Sequence, residues 1–93
     1  MALAPKQLFL VVATNNAPAV DARLVSLDVP KFKVADNAWF VSYPGTANDA
    51  AEDFGLRITD VVGSGVVVSV NNYAGRANPD TWEWLKLNWP TNG

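Results

Sequence analysis

Gln7-Leu8-Phe9-Leu10-Val11-Val12-Ala13-Thr14 is the stretch that decides how this chain folds. Its apolar residues run together instead of alternating with polar ones, which is the pattern of a central strand with both faces covered. Leu8, Leu10 and Val12 share one face, and Phe9, Val11 and Ala13 share the other. The run is too short to be the core of a signal peptide with a cleavage site after it, and far too short to span a bilayer. A cytoplasmic protein with no membrane partner is the expectation.

Downstream of the strand, Asn15-Asn16 supplies a helix N-cap, Pro18 sits where a first turn tolerates it, and Asp21 is read as a first-turn acid facing the helix dipole. The helix should run to Ser26 or Asp28, with Val20, Leu24 and Leu27 as its apolar stripe. Pro30 closes it. Lys31-Phe32-Lys33-Val34 then alternates charge with apolar side chain, as a lysine-protected edge strand does. Asp36-Asn37 turns the chain into Ala38-Trp39-Phe40-Val41-Ser42-Tyr43, a well-filled strand expected beside Gln7 to Thr14 at the centre of the sheet.

Tyr43-Pro44-Gly45-Thr46 reads as a type II turn. Thr46 and Asp49 form a capping box for a short helix that Gly55 closes in a left-handed conformation. Ala47, Ala50, Ala51 and Phe54 make its apolar side; Asn48, Asp49, Glu52 and Asp53 make an acidic back. Leu56 to Gly63 reads as a packed loop, and Val66 to Asn71 as a β-branched strand. After a loop to Pro79, Asp80 or Thr81 can cap a last helix through Trp82, Leu85 and Trp89, although a strand with Trp82 and Trp84 on one face is a rival reading.

The order strand, helix, strand, strand, helix, strand fits one α+β domain over residues 1–93. In detail it is a ferredoxin-like βαββαβ, a four-stranded antiparallel sheet with two helices on one face and a short aromatic C-terminal element. Two helices cover one face only. The other would expose Leu or Phe from the first strand and Trp or Phe from Ala38 to Tyr43, more apolar area than a monomer normally shows to water. A homodimer through that face is therefore expected, with Trp39, Trp82, Trp84 and Trp89 at the interface.

Composition narrows the chemistry. Of 93 residues 49% are hydrophobic and 17% charged, enough for one core. The chain contains neither cysteine nor histidine, so disulfides, thiolate chemistry and imidazole bases or zinc ligands have no side chains to use. Seven Lys and Arg against nine Asp and Glu give a net charge of −2, with a pI near 4.7. Binding to a phosphate backbone ordinarily needs the opposite balance.

The segments Ala38 to Tyr43, Thr46 to Ala51, Ser64 to Val70, Tyr73-Ala74-Gly75-Arg76 and Trp82-Glu83-Trp84-Leu85-Lys86, taken in order, resemble the small SinR-like proteins. That group shares the fold of the CRISPR-associated protein-two nuclease and the GhoS antitoxin. The resemblance implies a ferredoxin-like fold, dimers formed through the sheets and, in some relatives, metal-dependent cleavage of nucleic acid. In the nuclease relatives the first strand ends in an aspartate that holds a metal at the dimer axis. Here it ends Ala13-Thr14-Asn15-Asn16, and amides bring no charge to concentrate a dication.

The expectation is thus a non-catalytic, antitoxin-like homodimeric binding protein with no metal and no cofactor, its further protein or nucleic-acid partner undefined. The alternatives are a divergent metal-dependent ribonuclease or deoxyribonuclease, and a binder of small molecules or peptides in a cleft between sheet and tail. Asn15, Asn16, Tyr73, Arg76 and Trp82 are the candidate binding residues. Arg76 could clamp phosphate or carboxylate, or simply pair with Asp80 or Glu83. Tyr73 and the tryptophans could stack bases, but only Arg76 and Lys86 lie near them, against Asp80 and Glu83. Asp49, Glu52 and Asp53 could seat a hard cation, though such a triple is commonly a solvated helix face. Ser64, between two glycines, has no base to activate it.

Overall fold

Strand β1 (Gln7–Asn15) lies inside a four-stranded antiparallel sheet of order β2-β3-β1-β4 in the computed structural model, which describes residues 6–57, 61–72 and 74–89. It pairs with β3 (Ala38–Tyr43) on one side, Leu10 opposite Phe40, and with β4 (Ser64–Ser69) on the other, Leu10 opposite Val68. β2 (Lys31–Ala35) forms the outer edge beside β3. The two strands that read as apolar on both faces are the central ones, and the lysine-bearing strand is an edge, as its alternation requires. Helix α1 (Ala17–Ser26) joins β1 to β2, and α2 (Ala47–Asp53) joins β3 to β4. Each strand–helix–strand unit is split, because β3 lies between β1 and β2 and β1 lies between β3 and β4.

One face of the sheet carries Phe9, Val11, Ala13 and Val41, packed against Val20 and Leu24 of α1 and against Ala50 and Phe54 at α2. All of these are buried, seven of the eight to 1% exposure or less. The helical stripe and the alanine face are therefore where their spacing places them. The capping box at Thr46 and Asp49 forms in both directions, and Gly55 follows α2 at φ 77.

Four local expectations are corrected. Asn16 does stand at the N-cap of α1, but at φ 56 and ψ 49 its side chain caps nothing and instead donates to the Val62 carbonyl at 2.9 Å. Asp21 falls beyond the first turn of α1. Gly45 does not take the positive φ of a type II turn; a Cβ there would come within 2.9 Å of the Tyr43 ring, so space and not conformation explains this glycine. The last strand ends at Ser69 rather than Asn71.

The tail is helical. α3 runs Pro79–Asn88, with Asn78 and not Asp80 or Thr81 as its N-cap and Pro79 in the first turn. It lies on the second face of the sheet, so this face is not left bare as the two-helix arrangement implied. Trp84 meets Phe32 and Phe40 at ring-centroid distances of 6.0 and 6.4 Å, and Leu8 and Leu85 are buried. The cover is partial: Val66 and Val68 of β4 stay 52% and 44% exposed. Among the described residues no helix is long and apolar enough to cross a membrane.

Candidate binding cleft

One helix cannot roof four strands. Beyond the contact of Trp84 with Phe32 and Phe40, the second face opens into a cavity of about 320 Å³. Its floor is built by alternation along three strands: Leu10 from β1, Ala38 and Phe40 from β3, and Val34 from β2. Its wall is the loop Ala74 to Ala77 and the first turn of α3, through Thr81 and Trp82. Gly75 holds φ 141, a conformation open to glycine, and thereby sets Arg76 on the wall of the cavity. Thr81 is buried and Trp82 half-buried.

Arg76 is exposed and, among the described residues, has no ion-pair partner; neither Asp80 nor Glu83 takes the pairing role that sequence proximity offered. The remaining polar side chains of the cleft are the Thr81 hydroxyl and the Trp82 indole, and no carboxylate lines it. A guanidinium beside apolar walls suits a ligand with an apolar body and an acceptor head.

Of the candidate binding residues, the structure brings Arg76 and Trp82 together in this cleft. Asn15 and Asn16 lie elsewhere, at the junction of β1 and α1. There Gly63 passes so close to Asn15 that a Cβ would fall 2.7 Å from the Asn15 carbonyl oxygen, and the Asn16 amide is engaged with Val62. Tyr73 lies outside the described residues. The tryptophans scatter: Trp84 packs on the sheet, Trp89 ends α3, and Trp39 lies beneath α1, where its indole donates to Asp21 at 2.8 Å. The cleft floor could have been found from the grouping of Leu10 with Leu8 and Val12, but its depth depends on where α3 docks.

Several of the other charged groups, Asp21, Lys31, Lys33, Asp49 and Asp53, are engaged around the first face and its helices. Burial pushes the Asp21 carboxyl up, but the Trp39 indole, the Lys33 donor at 3.0 Å and the Lys33 charge outweigh it, so Asp21 sits below the ordinary aspartate range. The Lys31 ammonium donates to the Leu27 and Val29 carbonyls, both at 2.9 Å, at the C-terminal end of α1. Burial raises the Tyr43 hydroxyl to about 12, helped by its hydrogen bond to Asp53 and by the charges of Asp53 and Asp49. The acidic back of α2 is thus structural: Asp49 closes the capping box, and Asp53 accepts from Tyr43. Among the described residues no three acidic side chains gather as metal ligands would. The Lys33 ammonium also stands 5.8 Å from the Trp39 ring centroid.

Set against known proteins, the chain matches no family model, no curated protein and no solved structure.

Proposed function

We propose that this protein is a non-catalytic binding domain of the SinR-like kind, that it acts as a homodimer, and that its ligand seat is the cleft between the sheet and α3. The observation that carries the reading is the cleft itself: an apolar floor from three strands with a single cation on the wall, within the size range of small-molecule sites. The ferredoxin-like part is supported by the two split strand–helix–strand units and by the strand order, which from the other edge runs β4-β1-β3-β2.

Support for the dimer comes from β4 and no longer from a bare face. Its outer edge has no partner among the described residues, and Ser64-Gly65-Val66-Val67-Val68-Ser69 offers no charge or proline to block strand addition. Antiparallel pairing of two β4 strands about Val67 would set Val66 of each copy opposite Val68 of the other and cover the exposed valines.

Fragment screening by amide and indole NMR tests the cleft. Ligands should move the signals of Thr81, Trp82, Arg76 and Ala77 and leave those of α1 and α2 in place; shifts confined to other regions would reject this seat. Incubation with Mg²⁺ or Mn²⁺ and single- or double-stranded RNA and DNA should leave the nucleic acid intact, and cleavage that EDTA abolishes would overturn the non-catalytic reading.

A further inference from the structure

We propose that the ligand of the cleft is a small apolar monocarboxylate, its hydrocarbon body on Leu10, Val34 and Phe40 and its carboxylate in the fork of the Arg76 guanidinium. This rests on the cleft being a binding site and names what it takes. Three observations carry it. The cavity of about 320 Å³ holds about ten water volumes, room for a short acid and not for a folded partner. The floor side chains are aliphatic or aromatic, so the bulk of the ligand must be apolar to displace the water over them. The charge at the wall is positive and uncompensated among the described residues, since Arg76 has no ion-pair partner there and no acid lines the cleft.

Charge complementarity also fixes the head group. A cationic ligand would meet Arg76 with like charge. A neutral one would leave the guanidinium without an anionic partner. A phosphate monoester would bring a second negative charge that the single cation cannot match, whereas a carboxylate presents two oxygens to the two parallel donors of the fork. The Thr81 hydroxyl, on the same wall, can donate to the same head.

Octanoate, octanamide and octylamine, matched in chain and different in head, provide the test on the full chain. Titration followed at the Trp82 indole and the Thr81 amide should show octanoate binding at least tenfold more tightly than octanamide, with octylamine weakest. Arg76→Gln should remove that tenfold preference by weakening octanoate far more than octanamide, and Arg76→Lys should restore part of it. Arg76 is exposed, so the substitution spares the fold. Equal binding of the three ligands, or a preference untouched by Arg76→Gln, would overturn the carboxylate assignment while leaving the cleft as a site. No shift with any ligand would overturn both. A tripeptide ending in an apolar residue that binds more tightly than octanoate would replace the free acid with a peptide terminus and reject the small-molecule assignment.

Discussion

The two faces of the sheet are built from the same strands and differ in what covers them. Under α1 and α2 the face is closed: Val11, Val20, Leu24, Val41, Ala50 and Phe54 are all completely buried. Under α3 a single helix seats Trp84 and Leu85, leaves a cavity beside them, and leaves Val66 and Val68 half exposed. A protein of this size gains stability from whichever layer excludes water completely. The incompletely covered face is where a ligand or a second copy can find apolar surface without unfolding anything. On the proposed reading stability belongs to one face and binding to the other, and substitutions can test that division.

The largest effect is expected on the closed face. Phe54→Ala removes a fully buried ring that meets Tyr43 edge-on at 5.5 Å, and should cost about 3–5 kcal/mol in urea unfolding, enough to threaten folding of so small a domain. Trp84→Ala on the second face removes the contacts with Phe32 and Phe40 from a side chain that is only half-buried. It should cost about 2 kcal/mol, less than Phe54→Ala, while enlarging the cleft. If Trp84→Ala proved the more damaging of the two, the faces would share the load and the division would fail.

A third expectation concerns the open edge. Sedimentation equilibrium at micromolar concentration should give the mass of two chains, and Val66→Lys with Val68→Lys should give one chain. The unfolding free energy of that variant's monomer should change by no more than about 0.5 kcal/mol, because both valines are already exposed. A wild-type mass of one chain that stays fixed over a tenfold rise in concentration would remove the dimer.

The closed face was largely legible in the sequence, because it depends on short-range patterns. The unbroken apolar run of β1, the spacing of Val20, Leu24 and Leu27, the Thr46 and Asp49 box and the glycine after α2 each report a local geometry that tertiary packing then uses. The open face was not, because its features depend on where distant segments meet. Tryptophans in the tail announce that it packs, but not that its partner is the second face of its own sheet. The pairing of Asp21 with Lys33 and Trp39 spans 12 and 18 residues, so its charge reads in sequence as a helix-dipole acid. Asn16 follows the usual cap composition, yet its left-handed backbone turns the side chain toward Val62, and only the return of the chain after α2 brings that carbonyl within reach.

The smallest expected effects are those of pH, and both belong to the closed face. Asp21 has a folded pKa below its ordinary value of 3.8, so its contribution is fully present above that value and is lost as pH falls through the lower folded one. The stability difference between wild type and Asp21→Asn, about 1 kcal/mol at pH 6, should shrink at pH 3. Tyr43 has the opposite sign: raised from 10.0 to about 12, it stabilises fully below pH 10, and the contribution fades as the unfolded hydroxyl ionises first between pH 10 and 12. Tyr43→Phe removes that titration. Urea midpoints for wild type and Tyr43→Phe should therefore converge across this alkaline window, even though other groups titrate in both proteins. Octanoate affinity of wild type should stay constant between pH 6 and 9, since neither Asp21 nor Tyr43 lines the cleft. Midpoints that ran parallel from pH 9 to 12 would mean that in solution Tyr43 is neither buried nor held by Asp53 as it is here, and the rim of the closed face would then be looser than its core.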